Sequence, residues 1–400
     1  MKCTVTIGCD RIKLYQDDNL GTVNHSKRIR TKTRTYDFLK EEPTMKKLNI
    51  AIIGQGRSGK DIHGKYYISE DNKYYNVKYV VDFDAERRAI SEERYPGCVT
   101  FADYTELYNC DDIDLVVNAS YSEMHAPITK DLLNHGFNVL VEKPMGRTSY
   151  ECRELIKLAK DKGVVLAVFQ QSLLAPFVVF AQEVVKSGKL GRITQINVNY
   201  NGFARRWDWQ TLQKKCAGNA YNTGPHPVGV GLSLIDFDPN TRVAYSRLDR
   251  ALNSGDADDV VKIVLDAPGK PVVDIEASSN DAYAPGLLKI MGTKGTFKCS
   301  GAGYEMTYIV DGENPEQPVQ EDFIYGENKK PIYCTEQLVK HTEEGKFNGT
   351  AFNVGTAGIY EDLYYAITEG KPMRVVPEMA LQTLSVIETA HAQNPLPVKF

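Results

Sequence analysis

The chain lacks any apolar run near the roughly 20 residues that a membrane-crossing helix needs, so no membrane span is expected. It also lacks a one-sided charge. Lys and Arg number 48 against 52 Asp and Glu, a formal net charge of −4. No broad basic surface follows from that balance, which argues against nucleic acid or a membrane as partner. Cysteine patterning is missing too. The eight cysteines, Cys3, Cys9, Cys98, Cys110, Cys152, Cys216, Cys299 and Cys334, form no C-x-x-C pair and no His/Cys ligand spacing. That scatter fits reduced thiols in a cytoplasmic protein and speaks against a metal site.

What remains is ordinary globular composition, 42% apolar and 25% charged. A length of 400 residues suggests about two or three domains. The first 44 residues stand apart, with nine Lys/Arg against six Asp/Glu and a basic, Ser/Thr-rich stretch from Lys27 to Arg34. They read as a loosely ordered N-terminal extension without the apolar segment of a secretory signal, and Met45 is an alternative first residue.

From Met45 the pattern turns regular. Short apolar runs recur at Leu48 to Ile53, Val77 to Val81, Leu115 to Val117, Val139 to Val141 and Val164 to Phe169. Such runs suit strands buried on both faces. Helical patterns lie between them, including Ala126 to His135 and Tyr150 to Lys162, the latter after the capping pair Thr148-Ser149. Alternating strands and helices imply a parallel, doubly wound sheet over residues 45–168. After a helix at Phe177 to Ser187 the texture changes. Strand-like segments follow at Ile193 to Tyr200, Arg242 to Arg247, Val260 to Leu265, Val272 to Ala277 and Leu287 to Met291. Strands in succession suggest a large, mostly antiparallel open sheet in a second α/β domain, 169–400. Helices over Val354 to Glu369 and Pro377 to His391 close it.

The first strand runs into Gly54-Gln55-Gly56-Arg57-Ser58-Gly59, a complete G-x-G-x-x-G. In that pattern the first glycine makes a tight turn, the second lets backbone approach a pyrophosphate, and the third lets helix and strand pack closely. The strand before it supplies the context that the string alone lacks. An acid is expected at the end of the second strand, and Asp82 fills that place. It lies further along than the usual ~20 residues. The excess fits a longer first helix and loop through Tyr66, Tyr67, Tyr74 and Tyr75. A carboxylate there would bind the ribose hydroxyls and repel a 2′-phosphate, favouring NAD over NADP, although Arg87 and Arg88 could soften the preference.

Further strings make a family resemblance specific. Glu142-Lys143-Pro144 follows an apolar strand. Ser120-Tyr121-Ser122-Glu123-Met124-His125 is similar to a T-P-N-x-x-H turn. Asn222-Thr223-Gly224-Pro225-His226 is similar to D-x-G-x-H, and a glycine-rich strand ending runs from Leu288 to Thr296. The chain resembles the Gfo/Idh/MocA oxidoreductases from about residue 48 to 395. The resemblance implies dinucleotide contacts from Gly54, Gln55, Gly56, Arg57, Ser58, Gly59, Asp82, Ser120, Tyr121, His125, Glu142 and Lys143. It also implies Lys143 and His226 beside the nicotinamide, and a homodimer or homotetramer. Two departures stand out. Asn222 occupies the family's aspartate position and cannot take a proton. Gln170-Gln171-Ser172-Leu173 stands where relatives often carry an arginine.

Oxidation of an alcohol needs a hydride acceptor and a proton acceptor. Lys143, with its pKa lowered by burial, would bind the reacting oxygen. His226, with an unperturbed pKa near 6.5, is the candidate general base, and Asn222 would orient it or bind a hydroxyl. Arg205, Arg206, Trp207 and Trp209 form a candidate carbohydrate platform, and an aromatic aglycone could use these or the Tyr-rich stretch. The expected activity is NAD-dependent oxidation of a ring secondary alcohol of a sugar, glycoside or cyclitol, with C3 of a hexoside as a sub-case. Two alternatives stay open: redox-neutral epimerisation or elimination with retained NAD, and a non-catalytic dinucleotide-binding regulator.

Overall fold

Leu48–Ile53 has an aliphatic side chain at nearly every position and forms β1, the strand that organises the first sheet. The computed structural model describes residues 46–400, so the expected extension over 1–44 lies outside the described residues. Six parallel strands, β1, β2 (Tyr75–Val81), β3 (Val99–Phe101), β4 (Leu115–Asn118), β5 (Val139–Glu142) and β6 (Leu166–Phe169), take the order β3-β2-β1-β4-β5-β6. This is the doubly wound order, with its switch point where β1 lies between β2 and β4.

The helices of this half are α1 (Gly64–Tyr67), which continues a wide π-type turn at Arg57–His63, α2 (Ala85–Arg94), α3 (His125–Asn134) and α4 (Ser149–Lys162). Thr148 caps α4 and exchanges a capping box with Glu151. Gly163 ends the helix at φ 67.

One face of the sheet packs on Leu132, Leu133, Leu155 and Ala159 of α3 and α4. The other meets an aromatic layer. Tyr66, Tyr67, Tyr74 and Tyr75 are buried there against Tyr360 and Tyr364, with the rings of Tyr66 and Tyr360 stacked 4.5 Å apart. The Tyr-rich stretch is therefore core and presents no surface to an aglycone.

The second sheet has eight strands. They are β7 (Ile193–Asn199), β8 (Arg242–Asp249), β9 (Val260–Asp266), β10 (Val272–Glu276), β11 (Leu288–Gly292), β12 (Gly295–Cys299), β13 (Gly303–Tyr308) and β16 (His341–Lys346). A small hairpin of β14 (Ile324–Tyr325) and β15 (Pro331–Ile332) lies outside it. The order is β16-β13-β12-β11-β7-β10-β9-β8, and only β7 and β10 run parallel. The sheet is thus mostly antiparallel, as its succession of strands implies.

The remaining helices are α5 (Pro176–Lys186), α6 (Asn219–Asn222), α7 (Pro225–Ser233), α8 (Thr356–Glu369) and α9 (Pro377–Gln393). Val261, Ile263 and Leu265 alternate onto the face that α7 and α9 cover. α9 also packs against α4 and β6, so it spans both sheets. Among the described residues, no helix is long and apolar enough to cross a membrane.

Candidate active site

The carboxyl ends of β1, β2, β4, β5 and β6 bring the expected residues to one edge of the parallel sheet, where ligands of such sheets collect. Gly54 takes φ +90, and a Cβ there would strike the Ala119 carbonyl. A Cβ on Gly59 would fall on the carbonyl of Gly54. Gly56 differs: a Cβ there would meet nothing within 4 Å. No side chain caps the turn at Gly56 either, which leaves its first N–H groups for a ligand. The open cradle fits a pyrophosphate.

Asp82 lies at the end of β2, almost fully buried. Its Oδ2 accepts from Gln55 N at 2.7 Å and its Oδ1 from Asp84 N at 2.9 Å. The carboxylate thus braces the glycine turn and still has lone pairs for a ribose. Arg88 donates to the carbonyls of Asp82 and Phe83, while Arg87 sits 3.6 Å from Asp82 and 3.7 Å from Asp84. Both arginines are engaged by their own chain.

Lys143 extends from the end of β5, half-buried, and donates from Nζ to the backbone carbonyl of Asn222 at 2.6 Å. Burial lowers its proton affinity, Glu142 opposes the shift, and Arg57 and Arg206 add to it. Asn222 thus meets the lysine through its backbone. Its side chain turns to Gln210, whose Nε2 donates to Oδ1 at 3.3 Å. His226, on the first turn of α7, contacts Ser172 Oγ through Nδ1 at 3.1 Å and lies parallel to the Tyr200 ring. Burial and the Lys143 charge push its pKa down to about 3. His226 is therefore neutral at physiological pH, and the ordinary imidazole pKa assumed for a general base does not hold here. The Gln170–Ser172 segment that replaces an arginine-bearing loop has its own task. Gln170 donates to Pro225 O at 2.8 Å, and with Ser172 it fixes the start of α7.

Glu142 and His125 face inward. Glu142 Oε1 lies 3.3 Å from His63 Nε2, and its Oε2 accepts from Lys143 N at 3.1 Å. The His63 contact is off-line for a hydrogen bond, and that nitrogen has no other partner. Burial pushes the Glu142 carboxyl up, but His63 and Lys143 outweigh it and bring the pKa to about 2. His63 Nδ1 meets the hydroxyl of Tyr360 at 2.8 Å. His125 ties Ser120 O at 3.1 Å to Pro144 O at 2.7 Å, joining the turns after β4 and β5. A neutral imidazole can donate to only one of them. Both residues thus support the site from behind.

The two tryptophans part company. Trp209 packs edge-on against Tyr121, centroids 5.0 Å apart, beside Lys215. Arg206 pairs with Asp208 at 2.9 Å and also holds Gln210. Trp207 is 76% exposed, and Arg205 is exposed as well. The expected platform thus reduces to Trp209 and Arg206 at the site, with Ser120 held through its hydroxyl to Asn118. Residue patterns missed His63, Ser172, Tyr360 and Gln210. Only Ser172 left a signal, in the departure after Phe169.

Glu142→Gln tests the arrangement behind the lysine. The carboxylate favours the charged lysine, so its loss is expected to move the Lys143 titration to lower pH. The pH dependence of Lys143 acylation, read by peptide mass spectrometry, measures this. An unmoved midpoint would show that Glu142 does not act on Lys143.

Comparison with known proteins places this geometry. Residues 48–170 match the family described as "Oxidoreductase family, NAD-binding Rossmann fold", and residues 178–298 match the GFO/IDH/MocA C-terminal domain. An uncharacterized oxidoreductase of Escherichia coli, YhhX, is 27% identical over 86% of this chain and 96% of its own. The scyllo-inositol 2-dehydrogenase (NADP+) IolW of Bacillus subtilis is 22% identical over 88% of this chain and 95% of its own. A 2,7-anhydro-N-acetylneuraminate hydratase of Mediterraneibacter gnavus is 23% identical over 72% and 77%. Among solved structures, the oxidoreductase YvaA of Bacillus subtilis superposes with a TM-score of 0.72 at 18% identity, covering 88% of this chain and 97% of that one. GenD2 from gentamicin A biosynthesis, in complex with NAD, gives 0.67 at 21% identity over 88% and 95%. The two matched regions make up more than half of the sequence, and the chain belongs to the GFO/IDH/MocA oxidoreductases, with an NAD-binding Rossmann fold in its N-terminal half.

Proposed function

We propose that the chain is a dehydrogenase that uses NAD to oxidise a ring secondary alcohol of a sugar, glycoside or cyclitol. The observation that carries this reading is Lys143, desolvated at the end of β5 and fixed to Asn222, on the strand edge that also carries the glycine turn. When bound, NAD supplies the hydride acceptor. Gly56 and the N–H groups after it hold the pyrophosphate, and Asp82 holds the adenosine ribose. Lys143 takes the hydroxyl proton, because its lowered pKa supplies neutral amine near physiological pH. His226 stays neutral and hydrogen-bonds the substrate, oriented by Ser172. Trp209 and Arg206 border the sugar. The cyclitol dehydrogenase among the relatives supports this substrate class.

The test is NADH absorbance with purified protein, NAD and a panel of sugars, inositols and glycosides, run beside NADP. Growth of signal with one substrate group is expected. Silence from a protein that binds NAD by calorimetry would overturn the reading. The hydratase relative favours a second one, redox-neutral chemistry with retained NAD. Net turnover without NADH release would point there.

Cofactor choice rests on Asp82. Asp82→Asn keeps an acceptor for Gln55 N and removes the charge. The preference of kcat/KM for NAD over NADP is expected to fall by about tenfold or more, the scale of a charge–charge repulsion at short range near a protein surface. An unchanged ratio would free Asp82 from the ribose.

A further inference from the structure

The chain between β13 and β16 leaves the sheet as a two-legged arm. Asn314 and Val339 bond the legs in both directions, at 3.1 and 2.7 Å, and Gln317 reaches Glu336 at 3.2 Å. Further out, the two-residue strands β14 and β15 pair. Strands this short carry little stability by themselves. The arm nevertheless holds large apolar side chains in solvent: Val319 is 88% exposed, Phe323 84% and Tyr333 87%, with Tyr325 and Ile332 also uncovered. Apart from Gly326, every residue from 315 to 340 is exposed. Apolar surface of this kind, gathered on one projecting element, marks an interaction site.

Charge indicates what covers it. Over residues 313–336 the arm has six carboxylates against Lys329 and Lys330. The second sheet offers the opposite sign on the face away from α7 and α9. Lys289 on β11 stands directly across from Lys298 on β12, and both are exposed. Like charges opposite one another destabilise a strand pair unless something neutralises them. Lys298 reaches Glu305 at 2.9 Å, whereas Lys289 has no carboxylate partner among the described residues.

We infer that the arm is an interaction element for a second copy of this chain, its apolar side chains seated on the uncovered sheet face and its carboxylates beside Lys289 and Lys298 of that copy. The inference does not depend on the reaction catalysed.

Sedimentation velocity on the full chain tests it. The wild type is expected to be a dimer or larger at micromolar concentration. Phe323→Asp with Tyr333→Asp should raise the dissociation constant at least about tenfold, the cost of a 1.4 kcal/mol loss. Circular dichroism should be unchanged, since these side chains lie in solvent. Lys289→Glu with Lys298→Glu should weaken association, and adding Glu321→Lys and Asp322→Lys should restore it. A wild type that stays monomeric at tens of micromolar overturns the inference. So does an assembly that the arm variants leave intact. An assembly that ignores the lysine reversals refutes the docking face.

Discussion

Lys143→Ala is expected to lower kcat by about a thousandfold, within the 10²–10⁴ range typical of a positioned proton acceptor, while NAD binds nearly as before. The physical case rests on the separation of two tasks. The glycine turn and Asp82 hold the dinucleotide, and neither contacts the lysine side chain. Lys143 meets the protein through Asn222 O, in a setting where burial weakens its hold on a proton. Stopped-flow turnover and calorimetric NAD affinity, measured on one preparation, separate the tasks. Loss of both together would mean that Lys143 serves the fold or the cofactor. Loss of neither would remove it from the chemistry. His226→Ala should do less than Lys143→Ala, because a histidine held near a pKa of about 3 contributes hydrogen bonding rather than proton uptake.

Much of this arrangement was legible before any coordinates, because the signals are local. An aliphatic strand running into three spaced glycines is one continuous string, and so is a strand ending at Glu142-Lys143-Pro144. What stayed hidden depends on distant parts of the chain meeting. His63 reaches Glu142 because β5 lies two strands from β1, and Tyr360 joins them from α8. No spacing in the sequence encodes that meeting. The titration of His226 was misjudged for the same reason, since its neighbours come from β5 and the turn after β6. The strands β12, β13 and β16 were missed because they mix Lys, Glu and Thr with few aliphatics. Their pairing is set by the sheet they extend, and the open face asks for no apolar residue. The tryptophans mislead in the opposite way. Two residues apart in an irregular loop, Trp207 and Trp209 look like one platform, but only Trp209 finds an aromatic partner.

The glycines of the first turn permit a sharper test, because they fail in different ways. Gly56→Val should fold. The backbone there has φ −72 and ψ −160, which any residue adopts, and a Cβ would meet no atom of the protein within 4 Å. The added branch would occupy the space above the turn, where the pyrophosphate is expected. NAD affinity should then fall by about a hundredfold or more, a loss of roughly 3 kcal/mol, with little change in melting temperature. Gly59→Val should do the reverse, since its Cβ would collide with the Gly54 carbonyl and force the helix away from β1. The chain should be destabilised by several kcal/mol or fail to fold, as overpacking against immovable backbone requires. Differential scanning fluorimetry with and without NAD reads both. A Gly56→Val protein that is stabilised by NAD like the wild type would show that the pyrophosphate lies elsewhere, and the dehydrogenase reading would lose its cofactor site. An unstable Gly56→Val would show that this glycine serves the fold, as Gly59 does, and that the open space above it is no cradle.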